Sequence, residues 1–162
     1  ANAGLTLEHT LELLPVLEQN GVELVEQPLA KEEIAGLGQV QAATHLPVVA
    51  DESLQTADDL ERLAAAGVRG VNLKLMKLGG LAAALRIARR ARELGLGIML
   101  GSMIETSIGA TAMAHLSGLA DWLDLDSPVL ISNDPFVGIA YSNDGRVTVP
   151  NLPGIGVTAR ND

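Results

Sequence analysis

Cysteine is absent from this 162-residue chain, which excludes a disulfide framework and any thiolate chemistry. Aromatic residues are scarce as well: one Trp, one Tyr and one Phe, 2% of the chain. The core must therefore be built from Val, Ile, Leu and Ala, and a hydrophobic content of 48% supplies enough of them for a barrel-type interior. Positive charge is in short supply, with 11 Lys and Arg against 20 Asp and Glu and a net charge of −9. That balance argues against nucleic acid or an anionic membrane surface as partner, and no apolar run is long enough to span a bilayer. The expectation is a soluble, cytoplasmic protein that acts on a small molecule. The chain opens Ala1-Asn-Ala-Gly4 with neither an initiator Met nor a signal-peptide pattern, so it is expected to be part of something longer.

What the sequence does contain is a repeat. Five apolar runs, 22–26, 47–51, 70–74, 97–101 and 121–126, end about 25 residues apart, separated by stretches rich in Leu, Ala, Glu and Arg, as strands alternating with helices in a parallel sheet should be. Helices are expected over 5–19, N-capped by Thr6 and bent by Pro15, over 31–44, over 57–66 with Thr56 as cap, over 81–94 and over 107–118. Residues 75–80 are expected to be loop. From Ser127 the texture changes to Pro, Gly, Asn and Asp. The domain reading is therefore 1–126 as the C-terminal part of a barrel and 127–162 as a tail that packs elsewhere rather than forming another βα unit. A closed eight-stranded barrel takes about 250 residues, and five strands would leave two open edges. The expected fold class is α/β, a partial TIM-type barrel lacking its first strands.

Charges at the strand ends locate the chemistry, because ligands of parallel α/β sheets bind beyond the carboxyl ends of the strands. Glu26, Asp51 and Lys74 each close a run. Side-chain alternation puts Lys74 on one face with Asn72, Glu26 with Leu24, and Asp51 with Val49. Neighbouring strands lie about 4.8 Å apart, so Glu26 and Asp51 can reach one cation, and a pair of carboxylates is a hard-oxygen set suited to Mg²⁺ or Mn²⁺. Such an ion lowers the pKa of a neighbouring lysine and stabilises an enolate, which makes Lys74 a base for removing a proton α to a carboxylate. Asp124 and Asp126 share a face at the last strand end and form an anionic pocket for a substrate ammonium group. Lys77 is expected to be an ordinary loop lysine and Gly79-Gly80 a helix entry. His9, His45 and His115 lack metal-ligand spacing and receive no role.

The segments Val25-Glu-Gln-Pro28, Ala50-Asp-Glu-Ser53, Asn72-Leu-Lys-Leu-Met-Lys-Leu-Gly-Gly80, Gly101-Ser-Met-Ile-Glu105 and Asp124-Leu-Asp-Ser-Pro128 occur in this order. Together they resemble the enolase superfamily, muconate lactonizing enzyme subgroup, over residues 1 to 157. The Asp124-Leu-Asp126 segment resembles that of the dipeptide epimerases, where it holds the α-ammonium group of an Ala-Glu-type dipeptide. The resemblance implies strands 4–8 of a (β/α)7β barrel, Mg²⁺ as cofactor, Glu26 and Asp51 as metal ligands, and Lys74 as one of two opposed acid/base groups. It further implies that Glu52 supports the ligands from behind and that Ser102 and Glu105 line the pocket. The family's third metal ligand should fall immediately before Ala1, its opposing Lys-x-Lys lies further upstream, and its capping domain is absent. The implied parent is thus an isomerase that needs the missing N-terminal part, and the isolated chain is expected to be inactive. Two alternatives stand beside it. One is another enzyme of the subgroup: an N-acylamino acid racemase, an o-succinylbenzoate synthase or a cycloisomerase. The other is a non-catalytic half-barrel that forms a homo-oligomer through its exposed edges.

Overall fold

A computed structural model describes residues 1–161 of the chain. The sheet is made of β1 (Val25–Glu26), β2 (Val48–Ala50), β3 (Gly70–Leu73), β4 (Gly97–Gly101) and β5 (Trp122–Asp124), in the order β1-β2-β3-β4-β5. Every neighbouring pair is parallel. Helices α1 (Leu7–Gln19), α2 (Ile34–Ala42), α3 (Ala57–Ala65), α4 (Leu75–Leu78), α5 (Leu81–Glu93) and α6 (Ser107–Ala114) fill the connections. The result is a curled half-barrel of five parallel strands, the architecture the repeat predicts.

Local chemistry explains the element bounds. Thr6 caps α1 by accepting from His9 N, and Thr56 and Asp59 form a reciprocal capping box at α3, each satisfying orphan donors of a first turn. The strand expected over 22–26 shrinks to two residues because Gly21, at φ 70°, and the Val22 N to Leu17 O bond spend the start of the run on leaving α1. Helix α2 starts at Ile34 rather than 31, and α6 ends at Ala114 with a separate 3₁₀ turn at Ser117–Leu119. Residues 75–80 are not loop throughout: α4 is a single helical turn that Gly79 ends at φ 83°, a left-handed cap that costs glycine nothing.

The strand register sorts the sheet faces. Val48, Ala50, Val71, Leu73, Ile98 and Leu100 are fully buried beneath the helices, against Leu37, Leu60, Leu63 and Ala88. On the other face the register aligns Glu26 with Val49, Val49 with Gly70, Asn72 with Met99, and Gly101 with Asp124. That inner face is pinched at its base by Trp122, whose ring lies where a Cβ on Gly97 would be, 2.7 Å away. Bare backbone at Gly97 is thus what admits the single Trp.

Beyond β5 the chain is fixed to α6. Asp134 accepts from both the backbone N and the hydroxyl of Ser107 at 2.7 and 2.6 Å, supplying from the tail the cap that Thr106 does not. Thr111 Oγ1 accepts from Ile139 N, and Tyr141 donates to Leu125 O. Two short antiparallel pairs, Phe136–Val137 with Thr158–Ala159 and Ala140–Tyr141 with Val147–Thr148, complete this segment. Among the described residues, no helix is long and apolar enough to cross a membrane.

Candidate active site

Glu26 ends β1, Asp51 follows β2 by one residue, Lys74 follows β3 by one, and Asp124 ends β5. The ends of β1, β2, β3 and β5 therefore present their charged side chains on one inner face, at the carboxyl edge of the sheet, while β4 ends at Gly101. Asp51 is nearly sealed, at 4% exposure, and its Oδ2 accepts from the Lys74 ammonium at 2.6 Å. Glu26 Oε1 accepts from Asn72 Nδ2 at 2.6 Å.

Lys77 departs from expectation. Its side chain is 4% exposed, and its ammonium donates to Asp51 Oδ1 at 2.5 Å, Asp51 O at 2.6 Å and Asn72 O at 3.0 Å. A lysine ammonium has three hydrogens, and all three are committed. The cause is α4: one helical turn puts residues three apart on one side, so Lys74 and Lys77 flank Asp51 together while Met76 faces solvent at 66% exposure. The Lys-x-x-Lys spacing was the available signal, and it becomes informative only once 75–78 is known to be helical.

The two lysines are electrically distinct. Burial pulls the Lys74 pKa down, but the hydrogen bond and charge of Asp51, with Glu26 and Glu52 behind it, outweigh that and raise it above the ordinary lysine value. For Lys77 burial prevails, helped by repulsion from Lys74, and the pKa falls although Asp51 opposes it. Without a metal ion, Lys74 is thus a firm cation. A neutral-amine role requires something else to take the Asp51 charge.

Carboxylates outnumber the ammonium groups here. Asp124 is pushed up first by burial and then by the charges of Asp126, Glu26 and Asp51, with Lys74 in opposition; it therefore senses carboxylates from the far strands of the same bowl. Glu105 is also raised, by burial, while its bond from Met103 N and the charge of Lys74 pull the other way. Its side chain lies over Gly109, where an added Cβ would sit 1.7 Å from Oε2. Ser102 Oγ is 3.4 Å from Asp124 O. Glu52 Oε2 is buried without a hydrogen-bond partner and lends its charge to Lys74 and Lys77. The arrangement thus brings Glu26, Asp51, Glu52, Glu105 and Asp124 all within electrostatic reach of Lys74.

An anionic, oxygen-only donor set of this kind fits a hard divalent cation. Glu26 and Asp51 are the pair whose strands are adjacent. Among the described residues no group of three or more His, Cys, Asp or Glu is placed to hold a metal. Asn72 was missed by the sequence reading as a contributor. It is fully buried, orients Glu26, and leaves its own Oδ1 without a partner; Gly101 makes its room, since a Cβ there would lie 2.4 Å from that oxygen.

Known proteins share this fold. The chain is 40% identical over 158 residues to an L-Ala-D/L-amino acid epimerase of Maribacter sp., a match covering 98% of this chain and 47% of that protein. Its fold superimposes with a TM-score of 0.92 on a dipeptide epimerase from Cytophaga hutchinsonii complexed with Mg and the dipeptide D-Ala-L-Val, at 32% identity, covering 100% of this chain and 45% of the other. An N-succinyl Arg/Lys racemase from Bacillus cereus gives 0.90 at 26% identity, with 99% and 44% covered. The chain spans about half the length of the curated relatives it matches. The family described as enolase C-terminal domain-like matches residues 1–162, and to that family this chain belongs.

Proposed function

We propose that this chain forms the carboxyl half of an isomerase barrel that epimerises dipeptides by removing and returning the proton α to a carboxylate. The observation that carries this reading is the Lys74 ammonium, 2.6 Å from Asp51 in a bowl of carboxylates at the strand ends. In this reading Glu26 and Asp51 hold Mg²⁺, which when bound supplies positive charge beside the substrate carboxylate and beside Lys74. With the Asp51 charge so engaged, the Lys74 amine would take the α-proton from one epimer, and its ammonium would donate a proton to that same face when the other epimer is the substrate. Inversion needs a second acid/base group on the opposite face, and we assign it to barrel strands that this chain does not carry. Those strands would also pair with the open edges at β1 and β5 and bring the remaining metal ligand.

Asp124 and Asp126 accept the substrate α-ammonium, whose charge offsets the carboxylate repulsion that adds to burial in raising the Asp124 pKa. Ser102 and Glu105 line the pocket beside them, and Glu52 supports the lysine charges. The likeness to an N-succinyl Arg/Lys racemase favours one second reading, an enzyme whose substrates carry an acylated amine. Substrate choice separates the two. Replacing Asp124 or Asp126 with Asn in the intact protein should lower kcat/KM for dipeptides by roughly 10- to 150-fold, the equivalent of a lost hydrogen bond to a charged group, and leave N-acylamino acids unaffected. An intact protein that turns over N-acylamino acids, and whose activity is indifferent to both substitutions, would establish the second reading instead.

A further inference from the structure

The residue after Glu26 is built in an unusual way. Gln27 has φ 33°, a left-handed backbone that side chains other than Gly, Asn and Asp rarely adopt, and it precedes Pro28, which narrows its choices further. Its side chain is fully buried, yet every hydrogen-bonding position of the amide is used. Nε2 donates to Leu29 O at 2.8 Å and to Ser53 Oγ at 2.9 Å. Oε1 accepts from Asp51 N at 2.9 Å and Ser53 N at 3.2 Å. Ser53 Oγ in turn donates to Lys31 O. The amide orientation is unambiguous, because the reverse would set N–H against N–H.

This amide stands in for a piece of sheet. Val25 N donates to Pro47 O and Gln27 N to Val49 O, so the parallel ladder would next ask Asp51 N to donate to Gln27 O. The turn at Gln27 takes that carbonyl away, and it accepts from Ala3 N instead. The side-chain carbonyl supplies the missing rung. One residue thereby joins the backbone carrying Glu26 to the backbone carrying Asp51 at the point where both strands have ended.

We propose that Gln27 is a positioning residue whose amide clasp sets the separation and aim of the Glu26 and Asp51 carboxylates for their shared cation; this rests on reading those two as metal ligands. Groups that orient metal ligands from behind typically change metal affinity 10- to 100-fold when lost. The test measures Mn²⁺ dissociation constants by electron paramagnetic resonance on the intact protein, alongside thermal midpoints without metal and turnover at saturating Mn²⁺. Gln27→Met keeps the length and removes the amide. We expect Mn²⁺ binding weaker by about 10- to 100-fold, with turnover recovering toward that of the unsubstituted protein once Mn²⁺ saturates, because Lys74 is untouched. If the Met variant does not fold, Gln27→Gly accepts the positive φ without strain and carries the same expectation. A folded variant with a lower thermal midpoint but a Mn²⁺ constant within about twofold of the parent would reduce Gln27 to a fold-stabilising role and overturn the proposal. Glu26→Gln separates the levels: if it leaves Mn²⁺ binding intact, the metal assignment itself fails, and the proposal with it.

Discussion

Lys74 and Lys77 sit on the same carboxylate and should behave differently when removed. Lys74, 14% exposed, faces the bowl. Lys74→Ala should leave folding intact and lower kcat by roughly 10²- to 10⁴-fold, the usual contribution of a positioned acid/base group; stopped-time epimerisation assays on the intact protein would measure it. Lys77 has no path to substrate, since its three donors are spent on Asp51 and Asn72. Lys77→Met should cost stability, about 3 kcal/mol at the low end for a broken buried pair because Lys74 still neutralises Asp51, and urea unfolding would read it. At this scale the sequence was legible where strand alternation applied: Glu26, Asp51, Lys74 and Asp124 all fall on the inner face. It failed at Lys77 because no strand parity governs 75–78, and a four-residue helix leaves almost no periodic signal. Gln27 and Asn72 were passed over for another reason. A buried amide declares itself only through partners that are distant in sequence, here Asp51 and Ser53 for one and Glu26 for the other.

At the scale of elements, helix packing and capping carry the predictions. Helix α2 crosses the end of α3 so closely that a Cβ on Gly38 would lie 2.2 Å from Ala66 O. Backbone on both sides cannot yield cheaply, so Gly38→Ala should cost about 1–3 kcal/mol, seen as a lower urea midpoint at unchanged slope. The cap on α6 comes from the tail. Burial raises the Asp134 pKa, but the bonds from Ser107 and Phe136 and the charge of Arg160 outweigh it and hold the group below its ordinary 3.8. A group depressed in the folded state stabilises above its unfolded pKa and loses that contribution as pH falls through the folded value. Asp134→Ala should therefore lower stability by about 1 kcal/mol at pH 7, as lost caps do, and the gap to the unsubstituted protein should close below pH 3.8. Thermal midpoints from pH 7 downward would show it. Element existence was legible from periodicity, and the Thr56 cap was visible in the sequence. The bounds at residues 31, 22 and 118 were not, because turns at Ala30–Glu33, at Gly21 and at Ser117–Leu119 are closed by backbone bonds that composition does not announce.

For the molecule as a whole, five strands, a net charge of −9 and a bowl of carboxylates all ask for completion. The sheet has two edges to pair, and the bowl has negative charge to neutralise. Both demands meet at the strand ends, where Lys74 is a cation in the metal-free state and a divalent ion on Asp51 would release it. The most direct test is proton NMR of L-Ala-L-Glu in D₂O with the intact protein and Mg²⁺, following the Cα proton of the Glu residue. The account predicts loss of that signal with formation of the epimer, dependent on Mg²⁺ and abolished by Lys74→Ala. Exchange that persists in Lys74→Ala, or that proceeds at the same rate after chelation of the metal, would contradict it.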